Sequence, residues 1–439
     1  MIRNRGESIL GKDRLPPSIS VILLLELVSL GATIPVIAYY VRSFGGSAFH
    51  VTLCFFLTAA PKIFLQPLWG GLSDRIGRKP VMLFSLAGSL VSYGMWAYAP
   101  SFGNTSGGLA ALLGLSPALF WLLASRAMFG LFGAQLTLGA SVVADCLPSE
   151  QRARGMGILG ATAGIGFIIG PILGGIVAAH VSYAAVGWMN VALEALALVI
   201  ALAALPETAP RNAEAVRRIR KSAARVWRLA LAHRSVGRLL GSVLIGTTGL
   251  SVIQGTLVVL AEDRWGYDVM QTGKLLSVFF LVGAAVQGGG LRPLVPRFGE
   301  LNLARAGYLM IAAGLAALIP GGHYSVLWIS LFLISIGIAL STPTVTSLLS
   351  SATHEEDQGR VQGLNQGVTG LGRSISGVSM GGLYDAFGPA APFGSSSVLV
   401  LIALGILLVY RKPETETLFH PNAVDPPGTG AGISGHGAG

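Results

Sequence analysis

The stretch GGLSDRIGRKP at residues 70–80 lies between two apolar runs and decides the fold. Its paired glycines allow two helix ends to meet closely, and Pro80 suits the first turn of a following helix. Asp74 is the one carboxylate in the stretch and stands among three cations. An ordinary basic loop would explain the cations but not Asp74 or the glycines. We therefore interpret the stretch as a tight turn between two membrane-spanning helices.

The composition of the whole chain supports a membrane protein. Of 439 residues, 52% are hydrophobic and only 11% are charged, whereas a soluble domain has about 25% charged residues. Glycine occurs 60 times without a collagen-like period, which is typical of closely packed membrane helices. This composition excludes a soluble enzyme, a disordered chain and a DNA-binding domain.

Apolar runs of about 20 residues, the length that crosses a bilayer, occur twelve times. The predicted spans are about 18–41, 48–70, 80–99, 116–143, 155–178, 185–205, 239–260, 270–291, 303–320, 325–350, 361–384 and 393–410. The sequence therefore predicts an all-α membrane protein.

The positions of lysine and arginine predict the orientation of these spans. With the N-terminus inside, the interior segments hold 24 of these residues and the exterior segments hold only Arg42, Arg264 and Lys274. Both termini are therefore expected in the cytoplasm, with the protein in the plasma membrane (the inner membrane of a bacterium). The net charge of +10 then needs no nucleic-acid partner.

One long interior segment divides the chain into two six-helix bundles, 1–205 and 239–411. The connecting segment 206–238 is basic, and its residues 216–230 alternate at helical spacing between apolar and cationic. A helix lying on anionic lipid and a solvated linker helix both fit this pattern. The tail 412–439 is rich in glycine and proline and is expected to be disordered.

Three motifs resemble those of the major facilitator superfamily. The turn at residues 70–80 is similar to the family's loop motif between spans 2 and 3, and the ending PET at 206–208 is similar to that of its drug:proton branch. Span 5 fits G-x8-G-x3-G-P-x2-G-G, which resembles the branch's antiporter motif; general packing of small residues is the alternative. The antiporter-motif residues are Gly157, Gly166, Gly170, Pro171, Gly174 and Gly175.

The second half carries weaker versions of these motifs. RFG at 297–299 repeats RIG at 75–77, and GVSMGG at 377–382 repeats GPILGG at 170–175. Pro296 replaces the family's aspartate, and Val378 replaces its proline. The resemblance still covers the chain and implies two pseudo-symmetric bundles that rock around a central substrate site.

Ionisable residues inside the spans are functional candidates, because burying them in lipid is costly. Glu26 lies nine residues before Pro35, where tetracycline-type antiporters of the family have an aspartate at the same offset. We expect Glu26 to carry the coupling proton, with Arg126, part of a motif similar to the family's buried-arginine motif, as its counter-charge. A static buried pair is the alternative.

Further polar residues are candidates for the substrate cavity. Lys62 either favours an anionic or carbonyl-rich substrate or pairs with Glu26; Arg373 has either a structural or a cavity role; Glu194 either lines the cavity or bridges to another helix. The full set of cavity candidates is Lys62, Gln135, Asn190, Glu194, Gln254, Asn365, Gln366 and Arg373.

The loop motif is expected to form the cytoplasmic gate. The resemblance implies that Asp74 meets the positive N-terminus of span 11 when the interior side closes. We also expect Arg78 to pair with Asp145, at the end of span 4. The gating residues are Gly70, Asp74, Arg75, Gly77, Arg78, Lys79 and Asp145.

The sequence contains no phosphate-binding loop, no HExxH and no GxSxG motif, and its seven histidines lack metal-ligand spacing. We therefore expect neither an enzyme nor a metal or cofactor site, with protons as the coupling ion. The prediction is a monomeric, proton-coupled antiporter that exports a small amphipathic drug-like compound or metabolite. The alternatives are a nutrient symporter or facilitator, and a non-transporting membrane sensor.

Overall fold

The computed structural model describes residues 15–101, 108–208, 234–353 and 358–411. Every regular element in these ranges is helical, and helices lie at all twelve predicted spans. Ten helical segments are long and apolar enough to cross a membrane, whereas spans 9 and 11 are more polar. The predicted all-α class is confirmed.

Most ends of the first six spans lie within about three residues of the predicted boundaries, but span 2 ends six residues later and span 5 begins six residues earlier. They are Pro17–Ser43, Ala48–Ile76, Arg78–Tyr98, Pro117–Phe132 with Gln135–Cys146, Ser149–His180 and Tyr183–Ala204. A short helix, Gly108–Leu112, precedes span 4.

The last six spans begin at Arg234, within the predicted linker. They are Arg234–Leu250 with Val252–Trp265, Val269–Phe298, Glu300–Ala317, Tyr324–Ser351, Gln358–Phe387 and Ala391–Val409. Spans 5, 8 and 11 are longer than predicted because each helix continues past its apolar run into charged residues. The amphipathic helix predicted at 216–230 and the tail at 412–439 lie outside the described residues.

Span 4 is interrupted at Gly133 and Ala134, and neighbouring side chains bind the backbone groups that the break frees. The Ser85 hydroxyl donates to the Phe132 carbonyl and accepts a hydrogen bond from the Ala134 N–H. Trp69 Nε1 donates to the Leu131 carbonyl at 2.9 Å. Such partners make a broken helix tolerable at membrane depth.

Span 8 contains one wider turn, a π-helical segment at Val286–Gly290, between Val269–Ala285 and Leu291–Phe298. Three consecutive glycines, 288–290, form most of this segment. A π turn holds an extra residue relative to the α-helix and often marks a functional position.

The helices form two groups along the chain. In the first six, span 1 packs on spans 5 and 6, and span 3 packs on spans 4 and 6; in the last six, span 9 packs between spans 10 and 12. The main contacts between the halves are span 2 with span 11 and span 5 with span 8.

The halves meet at one end of the molecule, which we name the Arg42 end; the opposite end is the Asp74 end. All hydrogen bonds and ion pairs between the described residues of the two halves lie at the Arg42 end. At the Asp74 end Phe64 and Leu68 of span 2 are exposed by 74% and 63%. The structure is therefore closed at the Arg42 end and open at the Asp74 end.

Candidate functional site

A group of ionisable side chains is buried inside the first half. Glu26 is 4% exposed, Arg126 is 1% exposed and Glu194 is fully buried. They come from spans 1, 4 and 6, and Lys62 joins them from span 2. Glu26, Arg126 and Glu194 are therefore held away from water, whereas Lys62 is partly exposed.

Glu26 has Lys62, not Arg126, as its neighbouring cation. Lys62 lies close enough to Glu26 to interact with it electrostatically, although no described ion pair joins them. Oε2 of Glu26 is buried and has no hydrogen-bond partner among the described residues. The expectation that Arg126 is the counter-charge is therefore not met in this structure, because the sequence does not show the direction in which each helix face points.

Arg126 instead lies within a cage of aromatic rings. Its Cζ is 4.5 Å from the ring centroid of Trp96, 5.3 Å from that of Tyr93 and 5.8 Å from that of Phe129. Its Nε donates to Ser125 Oγ at 3.3 Å. Ring faces attract a cation, most strongly where water is excluded, so the cage stabilises the arginine charge without a carboxylate.

Lys62 lies beside the break in span 4. Its Nζ is 4.6 Å from the centroid of the Phe129 ring, and a side chain at Gly133 would place Cβ 2.7 Å from Nζ. The missing side chain at Gly133 therefore provides the space that the ammonium group occupies.

Unpartnered polar atoms continue from this group into span 6. Both carboxylate oxygens of Glu194 and both amide atoms of Asn190 are buried without a described partner. Gln135 Nε2 donates to Ser89 Oγ at 2.7 Å, while its Oε1 is unpartnered. Glu194 lies near enough to Glu26 for the two carboxyls to influence each other. Buried polar groups without partners are rare, and a cluster of them points to function.

A cavity of about 420 Å³ lies next to this group, mainly between spans 5, 7, 8, 10 and 11. Of the candidate cavity residues, Gln254, Asn365 and Arg373 line it. Gln366 is exposed and does not line it, because it follows Asn365 by about 100° around the helix. Lys62, Gln135, Asn190 and Glu194 do not line it either, since their side chains lie within the first half.

The gating residues form a compact charge cluster at the Asp74 end. Arg78 Nη2 is 2.6 Å from Asp74 Oδ1, and Arg78 Nε donates to Asp145 Oδ2 at 2.8 Å. All three residues belong to the first half. No hydrogen bond or ion pair between described residues joins Asp74 to span 11. Arg75 is exposed, and no atom lies within 4 Å of a Cβ built on Gly70.

Glu207 caps the N-terminus of span 3. Its carboxylate accepts hydrogen bonds from the backbone N–H groups of Arg78, at 2.7 Å, and Lys79, at 3.3 Å. Gly77, at φ +110°, brings the chain so close that a Cβ would lie 2.2 Å from Glu207 Oε2. Lys79 Nζ donates to the Leu202 carbonyl at 2.8 Å. The PET motif singled out Glu207 in the sequence, but it did not predict that Glu207 caps span 3.

The antiporter-motif glycines allow span 5 to pack closely on span 1. A Cβ at Gly166 would lie 2.6 Å from Leu27 Cβ, and one at Gly174 would lie 2.1 Å from the Ala32 carbonyl oxygen. Gly170 approaches span 1 in the same way. Gly157 has no atom within 4 Å, so packing does not explain that position.

The end of the same motif contacts the other half. A Cβ at Gly175 would lie 3.0 Å from the Val269 carbonyl oxygen, and one at Gly273 would lie 2.4 Å from the Pro171 carbonyl oxygen. Gly377 and Gly381 of span 11 likewise approach Phe56 and Thr52 of span 2. The repeated motifs therefore both lie where the halves meet.

An ion-pair network that the sequence analysis did not predict closes the Arg42 end. Arg42 Nη1 is 2.5 Å from Asp263 Oδ1 and 2.9 Å from Glu262 Oε2, and Tyr384 donates to Asp263 Oδ2 at 2.6 Å. Asp385 accepts from the Ala48 and Phe49 N–H groups at the start of span 2. The sequence did contain a signal for this network. Arg42 is the single cation of the predicted first outer loop, and Glu262 and Asp263 are adjacent carboxylates at the outer end of span 7.

Among the residues that the structure describes, no group of histidine, cysteine, aspartate or glutamate side chains could hold a metal ion.

The model of the family described as Major Facilitator Superfamily matches residues 19–377 and 293–430. The chain belongs to this superfamily. The resemblance predicted from the motifs is thereby confirmed. This member of the superfamily is an integral, multi-pass membrane transporter and not an enzyme.

Individual relatives match this chain over most of its length. The class E tetracycline resistance protein of Escherichia coli is 29% identical over 375 residues, which cover 83% of this chain and 87% of that protein. The crystal structure of the human organic anion transporter MFSD10 matches with a TM-score of 0.65 at 22% identity, covering 91% of this chain and all of that one. A D-xylose-proton symporter structure matches with a TM-score of 0.71 at 16% identity, covering 91% and 99%. The two structures support the fold alone.

Proposed function

We propose that this transporter is a proton-coupled antiporter that exports a small amphipathic compound by alternating access. The observation that carries the proposal is Glu26: a carboxyl in span 1 that is 4% exposed, with one oxygen unpartnered and Lys62 nearby. Such a group changes its protonation when its surroundings change. Movement of the two halves relative to each other changes the solvation of Glu26, while Lys62, which belongs to the same half, stays beside it.

The tetracycline resistance relatives support export rather than import. The class E protein aligns with most of the chain, and the antiporter-motif glycines pack at the contacts with spans 1 and 8. A smooth glycine face allows two helices to slide or tilt against each other without side-chain clashes. A proton gradient suffices as the energy source: 100 mV and one pH unit together supply ~3.7 kcal/mol per proton, a substrate ratio on the order of several hundred.

We assign the Asp74 end to the cytoplasm of a bacterial inner membrane, with both termini on that side. The excess of lysine and arginine in the loops at that end supports the assignment. In this orientation the open end exposes the cavity to cytoplasmic substrate. The transporter functions as a monomer without a cofactor, with protons as the coupling ion and membrane lipid as its surroundings.

The transport cycle then requires two alternating closures. The Arg42 network opens, the halves tilt about their contacts, and the Asp74 end closes when Asp74 meets the N-terminus of span 11. Release of substrate outside is coupled to uptake of a proton by Glu26, which returns the proton to the interior in the reverse movement.

The test is reconstitution into liposomes that contain a pH-sensitive dye, followed by addition of tetracycline and a panel of amphipathic compounds. The unaltered protein is expected to move protons opposite to a transported compound. Glu26→Gln is expected to abolish proton movement and gradient-driven transport, because the amide cannot exchange the proton. Glu150→Gln, an exposed position at the start of span 5, is the matched control. Proton movement in the same direction as substrate, or full coupling in Glu26→Gln, contradicts the proposal.

A further inference from the structure

The cavity of about 420 Å³ has a one-sided charge distribution. Among the described residues that line it, Arg373 is the only charged side chain, and none of them is an aspartate or a glutamate. The Arg373 side chain is exposed to this open space. No described residue forms an ion pair or a hydrogen bond with it. A guanidinium with five donors is thus available to a ligand.

The surroundings add to this positive charge. Lys62 lies within electrostatic range of both Arg373 and Arg126. The carboxyls in this region are Glu26 and Glu194, which lie in the first half and do not line the cavity. Lys62 and Arg126 do not line the cavity either, so Arg373 is the charged group, among the described lining residues, that a bound ligand would contact. A guanidinium without a described partner in this wall attracts an anion.

The rest of the cavity wall suits an apolar body. Phe167 of span 5 and Phe280 of span 8 stack with ring centroids 5.2 Å apart and an interplanar angle of 28°, and both line the cavity. Phe279 lines it as well, while Gln254 and Asn365 provide uncharged hydrogen-bonding groups. Ligand sites of this volume are mostly apolar and carry a few polar groups that orient the ligand.

We propose that the cavity binds small organic anions, with Arg373 holding the anionic group and the phenylalanine rings contacting an aromatic or aliphatic body. The anionic group is a carboxylate or another planar oxyanion, because a guanidinium binds such groups through two parallel hydrogen bonds. This names the substrate class for the proposed transport function and rests on it, but binding at equilibrium requires neither a proton gradient nor a direction of transport.

The test is equilibrium dialysis of three matched probes against the full chain in phosphatidylcholine nanodiscs, without a pH gradient. The probes are naphthoate, naphthamide and naphthylmethylamine, which share a ring system and differ in charge. The protein variants are the unaltered chain, Arg373→Gln, Arg373→Lys and, as a matched control, Arg292→Gln, an exposed position outside the cavity.

The unaltered chain and Arg292→Gln are expected to bind naphthoate at least about tenfold more tightly than naphthamide, since a charge-assisted pair adds this much. Arg373→Gln should lose that preference, and Arg373→Lys should retain part of it. Equal binding of the three probes, preference for the amine, or an unchanged preference in Arg373→Gln overturns the proposal. If Arg373→Gln does not fold, the probe comparison on the unaltered chain and on Arg373→Lys still decides. Naphthoate preference together with failed proton coupling would reject the antiporter and keep the anion site.

Discussion

Arg42 at the end of span 1 and Asp263 near the end of span 7 form a two-pronged ion pair across the halves, with Nη1–Oδ1 at 2.5 Å and Nη2–Oδ2 at 2.9 Å. Among the described residues, the ion pairs that join the two halves directly are those of Arg42 with Asp263 and with Glu262. In the proposed transport cycle the halves separate at this end, so we expect this pair to form in one state and to be lost in the other.

Arg42→Gln is therefore expected to increase opening of the Arg42 end. A partly exposed pair contributes up to about 1 kcal/mol, which changes the ratio of the two states about fivefold. The readout is labelling of Thr52→Cys, at a position 4% exposed in this state, by an impermeant maleimide in a chain lacking Cys54 and Cys146. Asp263→Asn should act similarly, and Arg297→Gln at the other end is the control. Labelling rates that remain equal in all variants would contradict this role.

Two glycines of the antiporter motif, Gly174 and Gly157, differ in the space around them and can be compared directly. Gly174→Ala is expected to destabilise the fold by about 1–3 kcal/mol, because its Cβ would lie 2.1 Å from the Ala32 carbonyl oxygen and span 5 must move away from span 1. Gly157→Ala has open space and should leave stability unchanged or raise it by up to about 1 kcal/mol. Thermal unfolding monitored by size-exclusion chromatography compares them. Equal midpoints would show that the close approach to span 1 is not needed.

Gly77 and Glu207 are expected to be energetically coupled. Gly77→Ala forces a side chain into a positive-φ backbone and against the capping carboxylate, at a cost of about 1–3 kcal/mol. Glu207→Ala removes the cap of span 3 and costs about 1 kcal/mol. The double variant should lose less than the sum, because one change removes the clash created by the other. Strict additivity in thermal unfolding would refute the coupling, and Gly70→Ala is the uncrowded control.

Asp74→Asn is expected to lower transport roughly threefold to tenfold while expression remains normal. In this open state Asp74 contacts Arg78 of its own half. We expect removal of its negative charge to weaken mainly the closed state of the Asp74 end, in which the N-terminus of span 11 needs a negative partner. Uptake into inside-out vesicles measures the effect, with Asp74→Glu as the charge-retaining control. Unchanged kinetics in Asp74→Asn would remove the residue from the gate.

Hydropathy predicted the fold class and the spans because each helix must satisfy its own backbone hydrogen bonds in lipid and therefore shows as an apolar run. It missed the broken middle of span 4, where Ser85 and Trp69 supply partners from other helices. Those partners are distant in sequence, and no local pattern encodes them.

The site was predicted in part for a related reason. The rarity of charge within apolar runs identified Glu26, Lys62, Arg126, Glu194 and Arg373 one by one. Their grouping depends on the direction of each helix face, which a list of spans does not contain. Consequently Arg126 was matched with Glu26, whereas Lys62 is the cation beside Glu26 and Arg126 is enclosed by Tyr93 and Trp96.

The π-helical turn at Val286–Gly290 holds one residue more than an α-helical turn of span 8 would. Each residue advances a helix by about 100°, so the part of span 8 beyond the glycines is out of phase with the part that carries Phe280. Deleting one of the three glycines would remove that phase offset and rotate Arg292 and Arg297 by a quarter turn or more relative to Phe280, with the cavity-lining Gln287 inside the altered turn. The three glycines therefore set the rotation of the basic end of span 8 relative to Phe279 and Phe280, the residues of the same helix that line the cavity.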